Sequence, residues 1–126
     1  MEAENRAAMR RIIDEVINGK NLDAADDLYA AEHVLYPAGE VGRGSAGMKE
    51  AFAGLHEGFP DVHVTIESMV AEGDIVAVRL TYTGTDAATG EQATWPEVVF
   101  TRFADGKAVE SWEILDTGRA PDAPPW

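Results

Sequence analysis

The chain is 126 residues long, which suits one domain with a core and a single cavity. Its 23 acidic against 10 basic residues give a formal charge of −13, which repels phosphate and anionic lipid and so excludes nucleic acid and membrane as partners. There is no cysteine, which removes disulfides, thiolate catalysis and cysteine-ligated metal; with no apolar leader and no long apolar run, the sequence points to a soluble, cytoplasmic protein.

Met9, Ile12, Ile13, Val16 and Ile17 recur at helical spacing over 4–18, and Gly19 stops the run. A second helix is expected over 22–29, with Asn21 as its N-cap. VLY at 34–36 reads as a short extended piece ended by Pro37, followed by the glycine-rich loop AGEVGRGSAG. A third helix carries Met48, Phe52, Leu55 and Phe59 on one face and closes at Pro60. The period then changes from 3.6 to 2. Val62, Val64 and Ile66 mark a first long strand, EGD a turn, and Val76, Val78, Leu80 and Tyr82 a second strand. GTDAATGE connects to a third strand over 93–103, ADGK is a tight turn, and a fourth strand covers 108–115. Residues 1–118 form one domain on this pattern, and the proline-rich stretch 119–126 is a loose tail.

Helices first and a strand meander after is an α+β order. Both faces of the strands are partly apolar. An antiparallel sheet with one wet face should alternate more cleanly. The sheet is therefore expected to curve, with the three N-terminal helices packed on its concave side.

Several motifs are weak. GRGSAG at 42–47 matches G-x-G-x-x-G, but no strand–turn–helix of a βαβ unit surrounds it, so it reads as a loop with Ser45 near the N-cap of the third helix. His33, His56 and His63 show no metal-ligand spacing, and neither a metal nor a cofactor is expected. His63 falls on a solvated strand face, His33 lies beside a turn and reads as exposed, and His56 either packs beside Phe52 or points into the cavity. Ser111 has no evident His and Asp partners, which argues against a nucleophilic triad.

The stretch TWPEVVFTRF at 94–103 carries the strongest signal. Alternation puts Trp95, Glu97, Val99, Thr101 and Phe103 on one face. Pro96 should mark an edge or a bulge. If this face is concave, Glu97 enters an apolar hollow, desolvation raises its pKa, and it becomes an acid or base useful near neutrality. The same alternation offers Glu113 and Tyr82 to the same cavity, with Leu80, Val99, Ser111, Phe52 and His56 as candidate substrate contacts and Trp95 as wall.

From about residue 5 to 116 the ordered set NGKNLDAADDLYA, EHVLYP, GRGSAGMKEAF, FPDVHVTIESMVAEGDIVAVRLTYTGT and RFADGKAVESW resembles the SnoaL-like polyketide cyclases, within the nuclear transport factor-like cone fold. The resemblance implies a curved antiparallel sheet wrapped against helices, a pocket in the cone, and a homodimer formed through the sheet. It also extends to limonene-epoxide hydrolases. Their Asp-Arg-Asp set with Tyr and Asn would fall on Glu113, Leu80 and Tyr82, with Tyr36 and Ala38, so that machinery is largely missing. The cyclases' pocket Asp falls on Val99, and a His common in the family falls on Ser111. Glu97 lies one alternation from the missing Asp, on the same face.

These residues support a cofactor-independent small-molecule enzyme acting on an apolar, polyketide-like substrate by acid/base chemistry, of cyclase, isomerase or epoxide hydrolase type. Glu97 is the candidate acid/base and Glu113 the second acid. Tyr36 and Tyr82 are the candidate donors to a developing oxyanion. The alternative is a non-catalytic binding or dimerisation module of the same fold.

Overall fold

The computed structural model describes residues 1–36 and 43–115. Helix α1 (Glu2–Arg11) has Glu2 and Glu4 in its first turn and Arg10 and Arg11 in its last, the charge order that the helix dipole favours. The predicted apolar stripe is present, but the helix does not stay α. Ile12–Asn18 continues as a π-helix, and Ile12, Ile13, Val16 and Ile17 are all buried. The wide turn ends with the Gly19 N–H donating to the Asp14 carbonyl at 2.9 Å.

The second helix is shorter than expected. Leu22–Ala24 is one 3-10 turn, α2 spans only Ala25–Leu28, and Asn21 makes no side-chain cap bond. Tyr29, assigned by pattern to that helix, instead opens β1 (Tyr29–Tyr36), a strand of 8 residues. Ala30, Ala31 and Glu32 favour helix on intrinsic propensity. Pairing on either side of them, Tyr29 with Ala108 and Val34 with Glu110, overrides that preference here.

Helix α3 (Gly44–Gly58) starts inside the predicted loop, at Gly44. Gly44 has φ +66, and a Cβ there would sit 2.9 Å from the Ala31 carbonyl oxygen. This glycine therefore serves a left-handed backbone and the close approach of α3 to β1. It accounts for part of the G-x-G-x-x-G match without any nucleotide. Arg43, not Ser45, is the N-cap residue.

The remaining strands are β2 (His63–Glu72), β3 (Ile75–Thr85), β4 (Gln92–Ala104) and β5 (Lys107–Leu115). They form an open five-stranded sheet in the order β1-β5-β4-β3-β2. β1 runs parallel to β5 and the other pairs are antiparallel, so the sheet is mixed, where an antiparallel one was expected. Asp105 and Gly106, at φ 54 and 77, make the two-residue β4–β5 turn that ADGK predicted.

β4 is a central strand, and its register with β3 runs unbroken through Pro96, paired with Thr81. No bulge interrupts the β3–β4 ladder at Pro96. The described β4–β5 ladder begins one residue later, at Glu97 opposite Leu115, so the proline falls outside it. The irregularities lie elsewhere, between Tyr29 and Val34, between Ile66 and Ser68 and between Arg102 and Phe103.

The inner sheet face and the helices enclose the core. Val76, Val78, Leu80 and Tyr82 of β3 alternate inward, as do Trp95, Glu97, Thr101 and Phe103 of β4. This α+β architecture positions the site. Pro37, the loop 38–42 and the tail 119–126 lie outside the described residues.

Candidate functional site

Strand alternation and cross-strand register bring one side chain after another to the inner face of the sheet. In β4 and β5 the register pairs Val99 with Glu113 and Thr101 with Ser111, while in β3 and β4 it pairs Leu80 with Glu97. The π-helix lays Ile12, Ile13 and Ile17 over this face, and α3 adds Met48 and Phe52. Between the two layers is a cavity of about 60 Å³. That is room for a few waters or a small ligand group.

Glu97 is only 5% exposed. The Tyr82 hydroxyl donates to its Oε1 at 2.7 Å, and Glu113 lines the same cavity. Desolvation by the surrounding apolar wall is the largest influence on Glu97. Glu113 acts in the same direction, and the Tyr82 hydrogen bond opposes both. Together they push the Glu97 carboxyl from its ordinary 4.5 up to about 9. At neutral pH Glu97 therefore holds a proton.

Tyr29 and Tyr82 are both buried. Burial first, then the charge of Glu97, raises both phenols above their ordinary value. Each remains a neutral hydrogen-bond donor. Trp95 stacks on Tyr82, with ring centroids 5.3 Å apart and planes inclined by 15°, and Phe59 packs against Trp95 with centroids 4.8 Å apart. Trp95 thus backs the wall without lining the cavity.

A second polar group lies on the same wall. Thr101 Oγ1 and Ser111 Oγ are 3.0 Å apart, and Ser111 Oγ is 3.0 Å from Nε2 of His33. His33 is wholly buried, and its ring meets the edge of Tyr29 at 4.7 Å. Thr101 and Ser111 line the cavity.

The structure therefore gathers seven of the sequence-predicted residues around one space: Glu97, Glu113, Tyr82, Leu80, Val99, Ser111 and Phe52. Three others are not among its lining. Tyr36 points to the opposite face, where it is exposed and stacked on Trp112 at 5.4 Å, because Leu35 takes the inward position of β1. His56 places a ring nitrogen 2.8 Å from the Ile17 carbonyl and so ties α3 to the π-helix, a packing role. Trp95 stands one layer behind.

His33 reverses the expectation of an exposed side chain. It is also a partner for Ser111, where none was evident in the sequence. Tyr29, His33 and Thr101 were missed as site residues. The first two ride on the extended β1, which local pattern shortened. Thr101 was legible through its alternation with Glu97. His63 is exposed, as expected. Among the described residues, no cluster of His, Asp and Glu is arranged to hold a metal ion. No helix among them is long and apolar enough to cross a membrane.

The family model for the SnoaL-like polyketide cyclases matches residues 7–119. Among solved structures, AclR from Streptomyces galilaeus, a candidate hydroxylase, is 28% identical; the match covers 92% of this chain and 91% of that one, with a TM-score of 0.79. A candidate SnoaL-like polyketide cyclase from Jannaschia sp. CCS1 is 25% identical over 91% of this chain and 87% of its own, with a TM-score of 0.81. TsrD from Streptomyces laurentii shares the fold at 22% identity, covering 92% and 90% of the two chains, with a TM-score of 0.84. Among curated proteins none matches the chain.

Proposed function

This chain belongs to the SnoaL-like polyketide cyclase family, and from that premise we propose that it is a cofactor-independent enzyme whose Glu97–Glu113 pair moves protons on a small, largely apolar substrate. One observation carries the proposal: a carboxyl buried in an apolar cavity, hydrogen-bonded to a phenol, with a second carboxyl lining the same cavity. A protonated carboxyl and an ionised one in the same cavity can take a proton from carbon and return one elsewhere, with no net change of charge in the site. Cyclisation and isomerisation both need that exchange. Epoxide opening needs the acid half of it.

Glu97 is the acid at neutral pH and Glu113 its partner base. Tyr82 holds the Glu97 carboxyl in place. Tyr36, on the outer face, has no part in this assignment. The cavity volume of about 60 Å³ favours a small ring, or one end of a longer polyketide-like chain, over a polycycle taken in whole.

The test needs no natural substrate. Cyclohexanone carries exchangeable protons beside its carbonyl, and their replacement in D2O is read by NMR. Wild type is expected to accelerate exchange, and Glu97→Gln to lower the enzymatic rate by about 10²–10⁴. Equal rates for the two proteins would remove Glu97 from the chemistry.

A non-catalytic binding module is favoured by one observation. The position of the family's pocket Asp holds Val99, which lines the cavity without any polar group. On that reading cyclohexanone binds and does not exchange.

The proposed partner is a second copy of the chain, docked on the outer sheet face. Val70, Ala77, Phe100, Trp112 and Tyr36 pair in one continuous row across all five strands. Val70, Phe100, Trp112 and Tyr36 are exposed, as are Val98 and Ile114 in the adjoining row. An uncovered apolar row of that extent fits a two-fold contact.

A further inference from the structure

Three buried polar side chains stand apart from Glu97 and Glu113 and are joined in a row by hydrogen bonds. Ser111 Oγ lies 3.0 Å from both His33 Nε2 and Thr101 Oγ1. A serine hydroxyl has one proton and two lone pairs, and a neutral imidazole has one N–H and one bare nitrogen. If Nε2 is bare, Ser111 must donate to His33 and Thr101 must donate to Ser111. Both hydroxyl protons are then consumed within the group, which offers the cavity only lone pairs. If Nε2 carries the proton, it donates to Ser111. One hydroxyl proton then suffices for the Ser111–Thr101 bond, and the other is free to point at whatever occupies the cavity.

The position of one proton on His33 thus decides whether this wall donates or accepts. His33 does not line the cavity, and it is wholly buried, so its influence passes through Ser111. The Tyr82 hydroxyl already donates to Glu97. Ser111 and Thr101 are the aliphatic hydroxyls that face the same space.

We propose that Ser111 and Thr101 form a ligand-binding station that donates a hydrogen bond to an oxygen acceptor, a carbonyl or ether, on an apolar frame, and that His33 is the positioning residue that frees this proton by holding its own on Nε2. The proposal rests on the reading above only in that the cavity takes a ligand. It holds whether or not Glu97 performs chemistry there.

The experiment uses cyclohexanone labelled with 13C at the carbonyl, and methylenecyclohexane, its near-isostere without the oxygen, both titrated into the full chain. In wild type the bound carbonyl resonance is expected downfield of its position in an apolar solvent, the mark of an accepted hydrogen bond. The 15N spectrum of His33 is expected to report a protonated Nε2 in that complex. Ser111→Ala and Thr101→Val together are expected to weaken cyclohexanone about tenfold while leaving methylenecyclohexane no weaker.

A bare Nε2 in the complex, a carbonyl resonance at its apolar-solvent position, or no binding of cyclohexanone overturns the proposal. The two wild-type spectra decide it even if the double variant does not fold. Deuterium exchange without the downfield resonance rejects this station and keeps the acid/base reading. The downfield resonance without exchange does the reverse.

Discussion

At the residue scale, Glu97 makes stability depend on pH in a defined direction. Its folded-state pKa of about 9 stands above the ordinary 4.5, so between those values the folded chain holds a proton that the unfolded chain has released. Stability therefore falls as pH rises from about 4.5 through about 9, by at most about 1.4 kcal/mol per pH unit for one proton. Glu97→Gln removes that linkage. Melting temperatures at pH 5 and pH 9 should show wild type losing more stability than the variant over the interval; parallel profiles would contradict the buried proton. Activity that needs the acid should fall above about pH 9. Tyr82→Phe deletes a hydrogen bond that favours the charged form, so Glu97 should titrate higher still. Carboxyl 13C resonances would follow that change, and the lost bond should cost about 1–3 kcal/mol of stability.

At the element scale, two contacts set where the helices sit. Asn18, at the end of the π-helix, donates from Nδ2 to the Val64 carbonyl at 2.9 Å and accepts at Oδ1 from the Val64 N–H at 2.8 Å. One amide thereby satisfies both backbone groups of a residue in the edge strand β2. Asn18→Ala is expected to cost about 1–3 kcal/mol in chemical denaturation, and to speed hydrogen exchange at Val64. Gly44 sets α3 against β1. Gly44→Ala combines a left-handed backbone with a clash against the Ala31 carbonyl and should cost about 2 kcal/mol or more. A loss below about 0.5 kcal/mol would show that α3 shifts freely, and the cavity wall at Met48 and Phe52 would then not be rigid.

At the scale of the whole molecule, a chain of formal charge −13 resists self-association unless an uncharged surface overcomes the repulsion. The outer row through Phe100, Trp112 and Tyr36 is such a surface, flanked by the Arg102–Glu110 ion pair at 2.7 Å. Sedimentation should find a dimer that Trp112→Glu converts to monomer without altering cyclohexanone binding. Salt should tighten the dimer, since raising ionic strength from 0.1 to 1 M shortens the screening length from about 10 to about 3 Å. A wild-type monomer at all salt concentrations would reject the dimer.

What the sequence determined by itself was whatever repeats over a few residues. The period-2 strands from Val62 onward, the Asp105–Gly106 turn, the apolar stripe of the first helix and the inward face shared by Glu97, Val99 and Thr101 all follow from backbone geometry and side-chain alternation. Tertiary structure decided the features that depend on distant partners. β1 lies beside β5 by pairing across most of the chain, and this is what carried Tyr29 and His33 out of an expected helix and turn and into the core. The same pairing brought His33 to Ser111, which is 78 residues away. The wide turn at Ile12–Asn18 formed where the helix meets β2, and the raised pKa of Glu97 depends on a wall assembled from seven elements. Local propensities differ by only tenths of a kcal/mol per residue, so burial and long-range pairing prevail wherever the two disagree.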